Sequence, residues 1–589
     1  MCRFVAVYWK KDVPNESGYN EIINLLKPGG PDSQNIVRVG NLHLFHSRLS
    51  IIDLESSANQ PFIKDDFALV FNGEIYNYRE LREQLINEGY KFVTNSDTEV
   101  LLEGYRAWGS SLFNKLEGMY AVVIYNIRSN ELLALRDYYG VKPLYYADTE
   151  DFVAFSSDIR VFRELGFSSK INEDSIKEFL EFGFISGDNS KTILDGIFKV
   201  LPGNGIRYSS GEIKTLPGLV KLRCHATTLD LRQSVISGVS SRLVADVPVG
   251  LFLSSGVDST LIAHILCNEL GKRPDVYHIA FDDPLYDESD AVLQIAQRYD
   301  LNCEIIPFNN DDFIKYFDLS IEAMSEPLAD DSFGPMLKLS EFASKKLKVA
   351  LSGDGADELF LGYKRMIFWY YLNKFPRWVL NLIKVVLKLS LVKTHFLSKH
   401  LSPEQLDKLY EVYLSNDRIT YQDLIKKCHI PNSLFLNEVK YCPSFQDDIT
   451  SFMTYSVLDK SDRSSMFNGL ELREPFLSSY TTQYSQSLKI TKSISAFKGK
   501  IALRRLLANY DKMTSKRKKM GFSSPLNSWI QAYIELHSHD VDSFDWKIIG
   551  LNGVTVKEIF RDEGKMRLKF HLMILMRWYE SNIASFRFD

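Results

Sequence analysis

Polar breaks cut the chain's apolar positions into short runs, and the runs differ between its two halves. In the first half, apolar or alternating runs at 67–71, 119–125, 132–136 and 152–155 predict strands separated by polar turns. In the second half, short apolar runs at 249–253, 276–281, 303–308 and 349–351 alternate with stretches at helical spacing. One predicted helix covers 229–244. Another runs from Asp258 to Cys267, with Leu261, Ile262, Ile265 and Leu266 on one side. That alternation implies βαβ units and a parallel sheet. Between the halves, the segment 204–217 is polar and turn-rich, carrying Gly205, Gly211 and Pro217. It reads as the boundary between a domain at 2–208 and a domain at 220–589. The segment 363–401 is aromatic and basic, with apolar positions at helical spacing. It reads as helices packed on the second domain, with a membrane-surface or partner helix as the weaker alternative.

Composition adds limits. The chain has 589 residues, 45% hydrophobic and 25% charged, as expected of a globular protein. A net charge of −5 argues against a nucleic-acid coat function. The cysteines at 2, 224, 267, 303, 428 and 442 form no C-x-x-C pair or metal spacing, and scattered cysteines fit a reducing, cytoplasmic setting. No uncharged apolar run reaches the ~18 residues of a membrane span, since 379–392 is interrupted by Lys384 and Lys388. The first residues hold too short an apolar run for a signal peptide.

Candidate chemistry sits at the ends of the predicted strands. After 249–253 come Ser254, Ser255, Gly256, Val257, Asp258 and Ser259, then a helix. A helix start points unpaired N–H groups and its positive dipole end over such a turn, which favours an anion. The Lys of a Walker A loop is missing, so the loop is of another kind. An ordinary turn capped by Ser or Asp is the plainer alternative. After 349–351 come Ser352, Gly353, Asp354, Gly355, Ala356, Asp357 and Glu358, whose carboxylates suit Mg²⁺ and proton transfer, or a helix-capping turn. In the first half, removal of Met1 would give Cys2 both a thiol and an α-amine. An amine with a pKa near ~8 can take the thiol proton, and the thiolate can attack an amide. Asn72, Gly73 and Glu74 are expected as a turn after the strand 67–71, aiming an amide and a backbone N–H as an oxyanion hole does. Arg48 would pair a substrate carboxylate in bidentate fashion, and Asp97 would hold an ammonium or else cap a helix. Together these describe a pocket for glutamine.

Met1-Cys2, Gly30-Pro31-Asp32, Arg48-Leu49-Ser50-Ile51, Asn72-Gly73-Glu74 and Ser96-Asp97-Thr98-Glu99 occur in the order found in class II glutamine amidotransferase domains. The first half resembles that family. The resemblance implies an α+β, αββα fold like the N-terminal-nucleophile hydrolases. It makes Cys2 the nucleophile and Asn72 and Gly73 the oxyanion hole. Arg48, Glu74 and Asp97 become glutamine binders, assisted by the carbonyls of Ile51 and Ile52. Two departures stand out: Arg3 follows Cys2 where the family has Gly, and Pro28-Gly29 replaces its basic His-Arg.

The second half resembles the synthetase domain of glutamine-hydrolysing (class B) asparagine synthetases, with the pyrophosphate loop of ATP pyrophosphatases. Besides the two loops, the matches include Asp287-Glu288-Ser289, Glu326-Pro327, Gly362-Tyr363, Asp462-Arg463, Leu470 to Leu477, Gly499-Lys500 and Arg517 to Phe522. The resemblance implies an α/β parallel-sheet domain with a largely helical C-terminal part. Leu253 and Ala280 would line an adenine pocket, and Ser254 to Ser259 would hold pyrophosphate. Ser352 and Gly353 would touch the nucleotide, and Asp354 would be the acid/base. Asp258 and Asp357 would be Mg²⁺ ligands, and Lys500 would neutralise pyrophosphate. Ser255 replaces a family Gly, and Ser478 a family Asp.

The expected function is therefore a two-site enzyme that uses ATP, Mg²⁺, glutamine and aspartate to make asparagine. Ammonia would pass between the sites through an internal tunnel. A different carboxylate acceptor, such as a sugar acid or peptide intermediate, and a catalytically silent scaffold are the alternatives. Oligomeric state is left open, a homodimer included.

Overall fold

The protein is described by a computed structural model covering residues 2–11, 18–167, 170–186, 190–225, 229–372, 430, 432–436, 451–495, 498–517, 525–562 and 564–583. Residues 373–401 of the aromatic-basic segment, residues 518–522 of the last motif, and Met1 lie outside them.

Strands β1 (Arg3–Trp9), β2 (Ser33–Val39), β3 (Leu42–Arg48), β4 (Phe62–Lys64), β5 (Phe67–Ile75), β6 (Gly118–Asn126), β7 (Glu131–Arg136), β8 (Tyr145–Asp148), β9 (Phe152–Ser156), β10 (Phe198–Lys199), β11 (Gly205–Ser209) and β12 (Glu212–Leu216) build two antiparallel sheets. Their orders are β10-β8-β9-β1-β3-β2 and β12-β11-β7-β6-β5-β4. Alternation along β1 explains the layering. Phe4 and Ala6 face the second sheet, against Val70 and Val123. Val5 and Val7 face the other way, toward the helices Tyr19–Leu26 and Glu173–Phe182. The second sheet's outer face carries Tyr78–Asn87 and α1 (Asp97–Trp108), through Leu81, Leu85 and Leu101. Helix, sheet, sheet, helix is the arrangement anticipated from the resemblance.

Three expectations need correction. The turn-rich segment 204–217 is the hairpin β11–β12, paired through β11 to β7, so the chain leaves these sheets after Leu216 and not at 208. Asn72, Gly73 and Glu74 are not a turn but lie inside β5, paired across to Ala121, Tyr120 and Met119. The cap of α1 is Ser96, whose hydroxyl accepts the Glu99 N–H, leaving Asp97 in the first turn.

Strands β13 (Val249–Phe252), β14 (Val276–Phe281), β15 (Cys303–Phe308), β16 (Val349–Leu351) and β17 (Glu471–Arg473) form a parallel sheet in the order β15-β14-β13-β16-β17. Helix α2 (Leu231–Ser241) opens with a capping box between Asp230 and Gln233. It is shorter than the 229–244 expected. Helix α3 (Val257–His264) follows β13 and packs Leu261 and Ile262 into the sheet's core. The described start of the aromatic-basic segment, the helix Lys364–Leu372, buries Ile367 and Tyr370 beside Ile494. No described helix is long and apolar enough to cross a membrane.

The two domains share a core and a buried polar seam. The C-terminal helix Met566–Asn582 packs on Glu173–Phe182, where the His571 ring bonds the Leu180 carbonyl at 2.9 Å. Helix α4 (Asp459–Met466) forms the seam; Lys460 through Met466 are all buried. Its Asp462 takes Lys142 of the first domain at 2.6 Å, with Lys142 1% and Asp462 5% exposed at the side chain. Nearby, Lys199 pairs with Glu326 at 3.0 Å and Arg242 with Glu117 at 2.9 Å. Removing one partner of a buried pair leaves an uncompensated charge. Lys142→Met is therefore expected to lower stability by about 3–5 kcal/mol in urea unfolding, and Lys142→Met with Asp462→Leu to recover most of that loss.

Candidate functional site

Cys2 stands immediately before β1 and is 7% exposed. Its backbone N–H points at Asn72 Oδ1, 3.4 Å away, which brings the two expected catalytic residues together. Gly73 has φ +150°, and a Cβ there would stand 2.1 Å from the Met119 carbonyl oxygen, so this stretch of β5 tolerates no side chain. Burial pushes the Cys2 thiol up to about 11, against the pull of the Leu49 N–H and Arg48. The thiol is thus held protonated until a base takes its proton.

Glu74 and Asp97 share this pocket. The Asp97 carboxylate accepts the Ile75 N–H at 3.0 Å. Burial pushes Asp97 up to about 6, and Glu74 well above the usual carboxylate range, the latter helped by Glu471 and Asp97 and opposed by Arg473. Arg473 comes from β17 of the second domain. Its guanidinium stands 3.6 Å from Glu74 and is pinned by Glu471 and by the carbonyls of Arg242 and Val244 at 2.8 and 2.7 Å.

Arg48 departs from its expected role. Its Nη1 donates to the Glu55 carbonyl at 2.9 Å and Asn59 Oδ1 at 2.7 Å, and its Nη2 to the carbonyls of Ile52, at 3.2 Å, and Asp53. All four terminal N–H groups are taken, so Arg48 shapes the loop after β3 and has no pair left for a bidentate grip. The Ile52 carbonyl is engaged by Arg48, and the Ile51 carbonyl accepts the Asp246 N–H at 2.9 Å.

The second site is a cleft of about 750 Å³ beyond the C-terminal ends of β13, β14 and β16. Ser254 and Ser259 tie the first loop, their hydroxyls 2.9 Å apart and the Ser254 N–H on Ser259 Oγ at 3.1 Å. The Gly256 N–H donates to Ser254 Oγ at 3.2 Å and that of Ser255 to Glu288 at 3.3 Å. Gly256 caps α3, whose first turn, Val257, Asp258 and Ser259, lines the cleft. A Cβ on Gly353 would lie 3.1 Å from the Asp258 Cβ, so the two loops touch. Asp354 accepts from Ser352 at 3.1 Å and from Ser461 of α4 at 2.8 Å.

Lys500 lies between two expected metal ligands, contacting Asp258 and, at 2.7 Å, Asp357. Burial opposes its charge, but those carboxylates prevail and hold its pKa well above the usual lysine value. Its backbone is in the left-handed region at φ +55°, a strained conformation for a residue with a side chain. Two carboxylates converging on one cationic position form a hard oxygen donor set that fits Mg²⁺. No cluster of three or more metal-type ligands occurs among the described residues.

Leu253 is buried, and its carbonyl accepts the His278 ring N–H at 2.9 Å. Ala280 is a correction: β14 gives the cleft Tyr277, His278, Ile279 and Phe281, but not Ala280. Sequence reasoning gave no role to several cleft residues, among them Glu288, Arg365, Lys460, Arg517 and Arg567. Glu288 and Arg517 sat inside matched motifs; Arg365 and Arg567 carried no signal.

A family model described as a glutamine amidotransferase domain matches residues 1–217, and one described as asparagine synthase matches residues 230–565. The chain belongs to the asparagine synthase family. This family is ATP-dependent; the cleft lies within the part of the chain that matches it, and the Cys2 pocket falls in the amidotransferase domain. The chain is 29% identical over 567 residues to asparagine synthetase (glutamine-hydrolyzing) 1 of Bacillus subtilis, covering 90% of this chain and 88% of that protein. It is 29% identical over 376 residues to amidase chry2 of Gibberella zeae, covering 58% of this chain and 54% of that one. The glutamine phosphoribosylpyrophosphate amidotransferase structure from B. subtilis aligns at 14% identity and a TM-score of 0.29, over 60% of this chain and 82% of that one, too remote to carry an argument.

Gly362 offers a direct test of the Lys500 arrangement. A Cβ there would fall 1.8 Å from Asp357 Oδ1 and 2.3 Å from Lys500 Cε, forcing the pair apart. Losing a hydrogen bond between charged groups costs about 1.5–3 kcal/mol, so Gly362→Ala is expected to weaken ATP binding roughly ten- to a hundredfold by calorimetric titration.

Proposed function

We propose that this protein is a glutamine-dependent asparagine synthetase. It hydrolyses glutamine in the first domain and uses the ammonia to amidate an aspartyl-adenylate formed from ATP in the second. The observation that carries the reading is the pairing of a buried N-terminal thiol beside Asn72 with an ATP-site loop, in a chain whose relatives include glutamine-hydrolysing asparagine synthetases.

In this reading Met1 is removed and the α-amine of Cys2 takes the thiol proton. The sulfur then attacks the glutamine side-chain carbon, and Asn72 and Gly73 steady the oxyanion. Ammonia leaves with a proton returned from the amine, and water cleaves the thioester to glutamate. Glu74 and Asp97 hold the substrate ammonium, while Arg48 keeps the pocket's loop in place. In the cleft, Ser254, Ser255, Gly256, Val257, Asp258 and Ser259 cradle the phosphates, and Ser352 and Gly353 sit against them. Asp258 and Asp357 would hold Mg²⁺, which when bound neutralises phosphate charge. Lys500 meets the pyrophosphate as it departs. Asp354, fixed by two hydroxyl donors, takes a proton from the attacking ammonia. Direct transfer of ammonia is supported by the closeness of the sites: Arg473 faces Glu74 with its side chain, and its carbonyl accepts the Ser352 N–H at 2.9 Å. A cytoplasmic location belongs to the same proposal.

Supplying ATP, Mg²⁺ and aspartate with either glutamine or ammonium tests the reading. Asparagine, AMP and pyrophosphate are expected in both arms, with glutamate in the first. Cys2→Ala should lose the glutamine arm and keep the ammonium arm. No asparagine in either arm overturns aspartate as the acceptor. AMP release with a different carboxylate would then favour the second reading, which the amidase relative supports.

Asp97 sets a pH limit. It binds an ammonium only as a carboxylate, and in the free enzyme it is protonated below about pH 6. Hence kcat/KM for glutamine should fall, about tenfold per pH unit, as the pH drops below 6. Asp97→Asn should lose most of the activity and make the remaining acid limb shallower, leaving only the part that Glu74 contributes.

A further inference from the structure

Arg3, next to the proposed nucleophile, is 2% exposed. Its side chain lies directly over Gly29, where a Cβ would come within 2.7 Å of Arg3 Nε and 2.8 Å of its Cδ and Cγ. The guanidinium reaches Asp158 with Nη1 at 3.5 Å. Asp158 is already held by Arg160 at 2.9 and 2.7 Å, and Arg463 of α4 approaches it to 3.7 Å. Three cations thus surround one carboxylate. Burial pushes Asp158 up, but Arg160, Arg463 and Arg3 outweigh it and hold the group well below the usual carboxylate range. Arg3 fares worst: burial pulls it down to about 10, Arg463 and Arg160 repel it, and its buried Nη2 makes no hydrogen bond. Asp158 has its charge partners without Arg3, so stability does not account for an arginine here.

Location does. Arg463 lies on α4 two residues after Ser461, which donates to Asp354 in the nucleotide cleft. Between them, Asp462 holds Lys142. Just past α4, Gly469 rests on Pro31, where a Cβ would be 3.2 Å from the proline ring. The segment 461–469 therefore touches the nucleotide loop at one end and the corner formed by Arg3, Gly29 and Pro31 at the other. One helix thus joins Asp354, through Ser461, to Asp158 and Arg3, through Arg463.

We propose that Arg3 is a positioning residue that makes glutamine cleavage at Cys2 respond to nucleotide in the second domain, acting through Asp158, Arg463 and α4. This rests on the two-site reading above.

The test is glutamate release by the full chain at varied glutamine, with and without saturating ATP and Mg²⁺. Wild type and Arg3→Lys are expected to gain about fivefold or more in kcat/KM when ATP is added. Arg3→Gly and Gly29→Ala, the latter displacing Arg3 without altering it, should release glutamate yet show no gain. Ammonium-dependent ATP cleavage with aspartate checks that both variants are folded. The proposal is overturned if wild type ignores ATP, if Arg3→Gly or Gly29→Ala keeps the wild-type gain, or if Arg3→Lys loses it as fully as Arg3→Gly. Failure of the glutaminase reading looks different: no wild-type glutamate in any arm, which removes both.

Discussion

Helix α4 is a helix with no apolar face in the middle of a large protein. Lys460, Ser461, Asp462, Arg463, Ser464 and Ser465 are all buried. Such a segment is stable only where its polar groups find partners, because an unmatched buried charge costs several kcal/mol. Here the partners come from both domains. Lys142 answers Asp462, and Ser157, Tyr145 and Asp158 answer Arg463. Ser461 reaches Asp354. Docking of one domain on the other is therefore directional. A slide of an ångström or two would strand several charges at once, whereas an apolar seam would tolerate it.

That register fixes where the two reactive ends stand. Strand β17 lies at one end of the parallel sheet beside β16, and β16 runs straight into the loop bearing Asp354 and Asp357. The same strand turns Arg473 toward Glu74, so three residues of backbone touch both pockets. On the other flank, Cys2 immediately precedes β1, a strand paired on both sides by β3 and β9. The proposed nucleophile is thus held at the head of a strand paired on both sides, which suits a group whose placement must hold within tenths of an ångström.

Strands β14, β15 and β16 were legible to the residue. Each is a short, largely apolar run bounded by polar breaks, with β14 and β16 almost wholly buried and β15, at the sheet's edge, leaving Pro307 exposed. The loops that follow carry glycines and carboxylates that no core segment would hold. What stayed hidden depends on distant partners. Strand β17 reads Glu-Leu-Arg and looks exposed, because besides the Glu471–Arg473 pair its partners, the Arg242 and Val244 carbonyls and Glu74, sit far away in sequence. Asn72 and Gly73 look like a turn, yet they continue β5, where close packing on Met119 demands a glycine. Arg48 has the chemistry of a carboxylate clamp, and only the fold reveals that nearby carbonyls have claimed its terminal N–H groups. Ala280 is not among the β14 residues that line the cleft, although its same-face neighbour His278 is.

The reach of Arg473 has a consequence for how this enzyme is divided. Residues 1–217 form a complete pair of sheets with their own helices, and on paper they are a portable catalytic module. Yet the cation that balances Glu74 is encoded more than two hundred residues later. An excised first domain would lose Arg473 together with Glu471 and the burial that the second domain imposes, so Glu74 and Asp97 would return toward ordinary carboxylates and repel each other as anions in an opened pocket.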